Sequence, residues 1–330
     1  MIFSEVALDE AEGCILANSQ PVTTGRLKKG TLLGCSEITQ LRDAGLQSVL
    51  AARLEVGDLH EDAAALQLAR ALVPDEERSG LRIGDAATGR VNIYATEAGV
   101  VEVLANRIHA LNAVHPMVTV ATVPEWQRVS SRSLVATVKI ISYAVADSAL
   151  AAACHAGQAA LRLCPVSIRN AALIQTTVSG SASGGKGFAA MEGRLARFNV
   201  PLTDAGTVDH NIDALSGAIR QCTADLVLIL TGSATSDILD VAPQALRKAG
   251  GEVTYFGMPV DPGNLLFFGN ISGRPVIGLP GCARSPAMNG ADWVLERLVC
   301  NVPVSGTDIA RMGVGGLLKE IPQRGRLRES

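Results

Sequence analysis

The residues best able to do chemistry are concentrated in four polar loops in the second half of the sequence. The loops span residues 176–187 (TTVSGSASGGKG), 230–246 (LTGSATSDILDVAPQAL), 261–269 (DPGNLLFFG) and 280–289 (PGCARSPAMN). Together they supply hydroxyls, glycines, carboxylates and an arginine, which are groups that hold phosphates and other polar ligands. In α/β sheets, ligands bind beyond the carboxyl ends of strands, where such loops open into helices. We therefore expect the four loops to line one site.

The first loop has the composition of a phosphate-binding segment. Its small residues and hydroxyls permit the backbone to approach a phosphate closely, and Lys186 adds a positive charge. It is not a Walker A loop, because its Gly-Lys pair is not followed by Ser or Thr. A flexible surface loop is the alternative interpretation of such a Gly- and Ser-rich segment. The candidate binding residues are Thr176, Thr177, Ser183, Gly184, Gly185 and Lys186.

The second loop combines hydroxyls with two carboxylates directly before a helical pattern. Asp237 and Asp240 could hold Mg²⁺ against a phosphate or polar substrate, and we predict them as catalytic residues, with Asp240 as the metal ligand. The alternative is helix capping, since an Asp before VAPQALRKAG is also a good N-cap. The candidate binding residues are Thr231, Gly232, Ser233 and Thr235.

The third loop begins with a Pro-Gly pair that predicts a tight turn. Pro262 and Gly263 form this pair, and the side chain of Asn264 can bond either to its own backbone or to a ligand. Taken without its context the segment is simply a turn. We include all three residues among the candidate binding residues.

The fourth loop is predicted to bind an anion at the start of a helix. If Pro286 takes the first helical position, Ser285 is the cap, and the unbonded amides together with Arg284 form an anion site. Cys282 has no histidine in any of the four loops to act as its base, so a small packed residue is the favoured interpretation. The candidate binding residues are Pro280, Gly281, Arg284, Ser285 and Asn289.

Composition restricts the classes of protein to which the chain can belong. The sequence has 330 residues, of which 48% are hydrophobic and only 3% aromatic, which favours a layered α/β architecture. A net charge of −3 with no basic stripe makes nucleic acid an unexpected partner. Seven scattered cysteines without a C-x-x-C pair predict neither a zinc site nor a disulfide framework. With no signal peptide and no membrane-spanning run visible, we expect a cytoplasmic protein.

The pattern along the chain predicts three segments. Residues 1–78 are expected to form a small α/β unit, and residues 79–165 a β-rich module with a linking helix over 147–163. From residue 166 the chain alternates strand, loop and helix. This alternation predicts that residues 166–330 form a three-layer αβα domain around a mostly parallel sheet.

Three of the loops lie in segments that resemble parts of molybdenum cofactor biosynthesis enzymes. LTGSATSDILDVAPQA resembles the Thr-Gly-Gly-Thr-Gly…Arg-Asp-Val-Thr-Pro-Glu-Ala segment of molybdopterin adenylyltransferases. PGNLLFFGNISGRPVIGLPGCARSP is similar to the Pro-Gly-Lys-Pro…Leu-Pro-Gly-Asn-Pro-Val-Ser segment of molybdopterin molybdenumtransferases. The chain most resembles bacterial molybdopterin-binding proteins that carry FGMPVDPGNLL and PGCARSP..NG.DWVL, some of which are fused to a nucleotidyltransferase. The resemblance is strong over residues 166–321.

The resemblance implies that the chain binds molybdopterin or a form of the molybdenum cofactor. It places Asp240 at the acidic position that the family uses for metal or substrate, with Mg²⁺ as a second cofactor. Ser233 and Ala234 stand where adenylyltransferases carry Gly-Thr, and Asn264 stands in place of a lysine. The pterin and phosphate loop would be Thr231, Gly232 and Ser233, with the other ligand turns at Pro262-Gly263 and Pro280-Gly281.

Three functions stay open at this point. The first is binding, carrying or modifying the pterin phosphate or its nucleotide form, with nucleotidyl- or molybdenum-transferase-like activity. The second is a Mg²⁺-dependent nucleotide pyrophosphatase of the competence-damage type, in which Asp240 and the metal activate water. The third is a non-enzymatic partner module, in which residues 1–145 serve dimerisation or delivery to a nucleotidyltransferase or molybdoenzyme. We expect a homo-oligomer, as in the relatives with similar N-terminal segments.

Overall fold

A computed structural model describes residues 1–178 and 185–318 of the chain. The chain divides into two compact units. The first contains residues 1–97 and 101–163, and the second contains residues 98–100 and the chain from residue 164 onward. Among the described residues, no helix is both long enough and apolar enough to cross a bilayer.

The beginning of the first unit is built on a small antiparallel sheet. Its strand order is β1-β5-β2, with β1 and β5 paired along their full lengths. Apolar side chains such as Leu16, Leu33 and Leu41 are fully buried in one cluster between this sheet and helix α1 (Cys35–Asp43). The elements are β1 (Ile2–Ala7), β2 (Ile15–Leu16), β3 (Gln20–Val22), β4 (Gly25–Leu27), α1 (Cys35–Asp43) and β5 (Ser48–Arg53).

The rest of the first unit packs helices against a second apolar cluster. That cluster runs from Ala64 to Leu163 and includes the inward-facing residues of the β10-β12-β8-β7 sheet. The elements are β6 (Asp58–His60), α2 (Glu61–Leu72), α3 (Glu76–Ser79), β7 (Leu81–Ile83), β8 (Arg90–Ala95), β9 (Gly99–Val103), α4 (Ala105–Asn112), β10 (Val118–Thr122), β11 (Gln127–Val129), β12 (Leu134–Ile140), β13 (Ala144–Ala146), α5 (Asp147–Ala156) and β14 (Leu161–Pro165). The first two residues of β9 and the last two of β14 belong to the second unit.

The linking helix predicted over residues 147–163 is too long. Helix α5 ends at Ala156, with Gly157 at its C-cap, and the last residues of the predicted span belong to strand β14. Gly157 fits this ending because glycine is among the residues least favourable for continuing a helix. The alanine-rich run that suggested one helix therefore covers a helix, a turn and a strand.

The second unit is an α/β layered structure around a six-stranded sheet. The strand order is β16-β15-β17-β20-β19-β18, in which β16, β15, β17 and β20 are parallel to one another and β19 runs antiparallel to both of its neighbours, β20 and β18. The elements are β15 (Ala171–Thr177), α6 (Lys186–Ala196), β16 (Leu202–Asp209), α7 (Ile212–Gln221), β17 (Leu226–Leu230), α8 (Val241–Lys248), β18 (Glu252–Phe256), β19 (Phe267–Ile271), β20 (Arg274–Leu279), α9 (Gly290–Val299) and α10 (Gly306–Arg311).

Side chains of the central strands are buried on both faces of this sheet. Every residue of β17 is buried, as its continuous apolar sequence LVLIL predicts for a central parallel strand. Ile229 belongs to the cluster that includes α7 and α8, whereas the neighbouring Leu230 lies against Gly187 of α6. Because successive strand residues point to opposite faces, helices cover both sides of the sheet. The α/β layered fold predicted from the sequence is confirmed.

Candidate functional site

The four parallel strands end at the same edge of the sheet. β15 ends at Thr177, β16 at Asp209, β17 at Leu230 and β20 at Leu279, so the loops after these strands share that edge. Three of the four loops singled out in the sequence begin there. The edge also receives residue 210, which no sequence motif marked.

The hydroxyl of Thr176 connects three of the strand ends. The backbone N–H of Gly232 donates to Thr176 Oγ1 at 2.9 Å, and Nδ1 of His210 lies 2.9 Å from the same oxygen. The N–H of His210 also donates to the carbonyl oxygen of Thr177 at 2.9 Å. Thr176 is only 3% exposed, so its hydroxyl is a fixed part of the structure at this edge.

Two glycines allow the chain to come close at this edge. A Cβ on Gly232 would lie 2.7 Å from the carbonyl oxygen of Thr176, which is closer than real Cβ contacts. A Cβ on Gly187 would lie 2.5 Å from Cδ2 of Leu230, which is the end of a side chain that can shift, so the first turn of α6 packs closely against β17 without strictly requiring glycine. At Gly232 the neighbouring atoms are backbone, and glycine is required by packing.

Arg284 links the loop after β20 to the loop after β17. Its Nη2 donates to the carbonyl oxygen of Thr231 at 2.7 Å, and its Cγ lies near Gly187 of α6. The side chain is otherwise exposed, and a guanidinium has five N–H donors. Arg284 therefore both braces the edge and presents positive charge there.

A buried ion pair holds the loop after β20. Arg194 of α6 donates through Nε to Oδ1 of Asp292 in α9, and each side chain is 4% exposed. The Nη atoms of Arg194 donate to the carbonyl oxygens of Ala283 at 3.0 Å, Ser285 at 2.9 Å and Ala287 at 3.0 Å. Arg194 thereby fixes the backbone on which Arg284 stands.

The helix after this loop begins later than the sequence prediction placed it. Residues Gly281–Arg284 form a short 3-10 turn, and α9 begins at Gly290 with Asn289 as its N-cap. Oδ1 of Asn289 accepts from the N–H of Ala291 at 2.8 Å, and the Asn289 N–H donates to Asp292 Oδ2 at 2.8 Å. The start with Pro286 first and Ser285 as cap is wrong, because this capping box satisfies the first turn better.

Asn289 is buried at the base of the loop rather than exposed to a ligand. It is 1% exposed, and its Nδ2 lies 3.7 Å from Sγ of Cys282. Ser285 instead accepts from the N–H of Ala287 at 3.2 Å. The structure thus gives both side chains a part in shaping the loop.

The turn at Pro262 and Gly263 packs against the start of α9. The carbonyl oxygen of Pro262 accepts from the N–H of Gly290 at 2.8 Å, and the peptide bond between Asp261 and Pro262 is cis. The carbonyl oxygen of Asn264 accepts from Met258 N at 3.0 Å, which closes the turn. The third loop therefore meets the fourth at the start of α9.

Asp240 acts as a helix cap in this structure. Its Oδ1 accepts from the N–H of Val241 at 2.6 Å, and its Oδ2 accepts from the N–H of Ser236 at 2.9 Å. Asp237 similarly accepts from the N–H of Leu239 at 2.7 Å. Both oxygens of Asp240 thus accept hydrogen bonds from backbone amides. This is the helix-capping role that the sequence left open as the alternative to metal binding.

This arrangement gives no support to a Mg²⁺ site anchored by Asp240, since helix capping already accounts for both of its oxygens. Magnesium is bound through oxygen ligands, usually one or two carboxylates together with water and substrate phosphates. Within residues 1–178 and 185–318, no group of three or more His, Cys, Asp or Glu side chains could hold a metal ion. No chemical step is therefore assigned to Mg²⁺.

The remaining predicted residues lie in three settings. Thr231 and Thr235 are buried with their hydroxyls 3.5 Å apart, whereas Ser233 is exposed in the loop between them. Gly185 and Lys186 are exposed at the start of α6. Ser183 and Gly184 lie outside the described residues. Thr177 is the last residue of β15, Pro280 directly follows β20, and Gly281 begins the 3-10 turn.

Sequence reasoning missed three side chains that organise this edge. His210 follows LTDAGTVD, which was not recognised as a strand because most of its residues are exposed. Arg194 was visible as a charged residue among the apolar positions Ala190, Met191 and Leu195 of α6, a spacing that places it on the buried face. Asp292, its partner, stood three residues after Asn289 in a recognisable capping-box spacing.

Comparison with known proteins adds distant structural likenesses, among them the two described below. No protein-family model and no curated protein sequence matches the chain. The molybdopterin biosynthesis moea protein from Pyrococcus horikosii is 13% identical, with a TM-score of 0.32, over 91% of this chain and 75% of that one. CinA from Thermoplasma acidophilum, a protein of unknown function, is 17% identical, with a TM-score of 0.24, over 36% of this chain and 90% of that one. At these TM-scores the likenesses carry no conclusion about function.

Proposed function

We propose that the second unit binds a phosphorylated pterin, molybdopterin or its nucleotide form, at the carboxyl edge of its parallel strands. The observation that carries the proposal is the direct hydrogen bonding among the four loops, three of which bear the sequence resemblance. Gly232 bonds to Thr176, and Arg284 bonds to Thr231. Pro262 bonds to the start of α9. Segments far apart in the sequence thus form one connected surface.

The chemistry of this surface suits a phosphate. Arg284 supplies charge and several N–H donors, and the first turn of α6 has backbone amides without intrahelical partners. The carboxylates of the second loop are engaged as caps, which reduces their availability to a metal. Such a donor-rich surface favours an anion over a cation.

The same loops also expose apolar side chains suited to a flat ring. Ile238 and Leu239 in the second loop and Met288 in the fourth are all exposed. Apolar contacts beside a few fixed polar groups are typical of small-molecule sites. We assign these side chains to the pterin ring and the donors to its phosphate.

The sequence resemblance suggests the biological setting of this binding. It favours a role in biosynthesis, maturation or delivery of the molybdenum cofactor, with a nucleotidyltransferase or molybdoenzyme as the receiving partner. The capping role of Asp240 gives no support to the Mg²⁺-dependent pyrophosphatase alternative. The proposal therefore concerns binding and presentation.

The test is an anaerobic titration of the full chain with molybdopterin, followed by isothermal calorimetry. We expect saturable binding that is at least about tenfold weaker in Arg284→Ala, because a hydrogen bond to a charged group contributes about 1.5–3 kcal/mol. Arg197→Ala is the matched control, since Arg197 is exposed at the opposite end of α6. Failure of the wild type to bind would reject the function.

A second variant separates charge from bracing. Arg284→Gln retains an N–H donor for the carbonyl oxygen of Thr231 but carries no charge. If charge recognises the phosphate, this variant keeps its thermal stability yet loses affinity. Wild-type affinity in Arg284→Gln would show that the guanidinium serves the loop alone.

A further inference from the structure

The hydrogen positions around Thr176 can be assigned from its partners. Its hydroxyl oxygen accepts from the Gly232 N–H at 2.9 Å and lies 2.9 Å from His210 Nδ1. A hydroxyl has one hydrogen and two lone pairs, and a neutral imidazole has one N–H and one bare nitrogen. Two arrangements are therefore conceivable, with either the hydroxyl or Nδ1 as the donor.

Burial decides between these arrangements. If Nδ1 carried the hydrogen, both lone pairs of Thr176 would be filled and its own hydrogen would need another acceptor. Among residues 1–178 and 185–318, the hydroxyl has no hydrogen-bonding partner other than Gly232 and His210. An unsatisfied hydroxyl at 3% exposure is costly. The hydroxyl therefore donates to Nδ1, and the imidazole hydrogen is on Nε2.

We propose that His210 contacts the ligand of this edge, donating its Nε2–H to an oxygen of the phosphate group. This assignment rests on the proposed function and adds one recognition residue to it. Thr176 acts as the positioning residue, because it selects the tautomer and orients the ring.

The location of His210 supports a contact with ligand. It follows the last residue of β16 at the same edge as Gly232 and Thr177, and its backbone N–H is fixed to the Thr177 carbonyl oxygen at 2.9 Å. The ring is half-buried, with Nδ1 directed to the sheet and Nε2 on the other side of the ring. In the described part of the chain, Nε2 has no protein partner. A fixed donor beside a phosphate surface needs no rearrangement on binding.

The first measurement is the tautomer in the ligand-free full chain. Long-range ¹H–¹⁵N correlation spectra report which imidazole nitrogen carries the hydrogen, and His210→Asn identifies the signal among the five histidines. We expect the Nε2–H form in the wild type and in Thr176→Ser. Thr176→Val, which lacks the hydroxyl, should lose this preference. An Nδ1–H form in the wild type would overturn the inference.

The second measurement compares two substitutions of His210 by titration with molybdopterin and with the same pterin after phosphatase treatment. The Asn amide reaches the position of Nδ1 and can keep the bond to Thr176, whereas the Gln amide reaches the position of Nε2. We expect the affinity of His210→Asn for molybdopterin to be at least about tenfold lower than that of the wild type, with an unchanged melting temperature. His210→Gln should retain more affinity, and the dephosphorylated pterin should not distinguish wild type from His210→Asn.

The outcomes separate this inference from the proposed function. If the wild type binds molybdopterin and His210→Asn binds it equally well, His210 only ties β16 to β15 and the inference falls while the function stands. If the loss in His210→Asn is the same for both pterins, the donor does not face the phosphate and the inference also falls. If the wild type binds neither pterin, both are rejected.

Discussion

Replacing Arg194 by Met tests whether one buried arginine holds the candidate site. The substitution keeps much of the side-chain length and removes the charge together with every hydrogen bond of the guanidinium. Asp292 then stays buried at 4% exposure without its partner, while the carbonyl oxygens of Ala283, Ser285 and Ala287 lose their donor. The perturbation is therefore internal, although its consequences are expected in an exposed loop.

The expected cost follows from the burial of both charges. Breaking a buried pair by removing one partner typically destabilises by about 3–5 kcal/mol, because an uncompensated charge remains. The carbonyl oxygens of Ser285 and Ala287 lie on the exposed stretch of the loop and can hydrogen-bond to water instead. We therefore add no further free-energy cost for the loss of their hydrogen bonds to Arg194. Domains are stable by only about 5–15 kcal/mol, so this loss is a large fraction of the whole.

The assay is urea unfolding of the full chain with a double-mutant cycle. Asp292→Asn removes the charge and keeps an oxygen that can accept the Asn289 N–H. The double variant should be less destabilised than the sum of the single variants, since it leaves no lone charge. Arg197→Met is the matched control on the same helix, because Arg197 is exposed.

Hydrogen exchange locates the effect in the structure. We expect faster exchange of backbone amides over residues 282–288 in Arg194→Met than in Arg197→Met. A cost below about 1 kcal/mol, or additive single effects in the cycle, would refute the reasoning that this pair is buried and coupled. Unchanged exchange in the loop would refute the claim that Arg194 positions it.

Three further outcomes are expected. Asp240→Ala should lower the unfolding free energy by about 1 kcal/mol, and Asp240→Asn by less, because Asn also caps helices. An equal loss of stability in both variants that depends on added Mg²⁺ in the wild type would instead indicate a metal ligand. Hydrogen bonds from the backbone and side chain of Arg169 lower the pKa of Asp225 in the folded protein. The ionised carboxylate therefore stabilises the fold above the ordinary pKa of 3.8, and this contribution is lost as the pH falls through the lower folded-state pKa. The difference in unfolding free energy between wild type and Asp225→Asn should vanish in that window, and a difference independent of pH would contradict this. Burial raises the pKa of Cys300 to about 12. Iodoacetamide at pH 8 should therefore alkylate the exposed Cys35 well before Cys300, as measured by peptide mass spectrometry. Equal alkylation rates at the two cysteines would disprove the burial of Cys300.

Much of the second unit could be predicted from local patterns. The apolar runs of β17 and β20 and the helical spacing of α8 are each recorded in a short stretch of sequence, because burial on both faces or on one face leaves a characteristic period. β16 was missed because a strand at the edge of a sheet is largely exposed and carries little of that pattern. The helix after it did carry a signal, since Asn211 is a recognisable N-cap.

Individual site residues were harder to assign than the loops that contain them. Asp240 and Asn289 stand at helix starts, where a cap and a ligand-binding residue have the same sequence signature. Only the contacts of their side chains with backbone amides distinguish the two roles. Arg284 is different, because one of its nitrogens braces the carbonyl oxygen of Thr231 while the exposed remainder of the guanidinium faces solvent.

Local periodicity and turn chemistry are sufficient to predict the α/β class and the position of polar loops at strand ends. Tertiary structure decided which loops meet, because the strand order β16-β15-β17-β20 does not follow the chain. That order brings His210 to Thr176 and Gly232. It also seats Arg194 against Asp292, 98 residues away, a pairing that no local pattern contains.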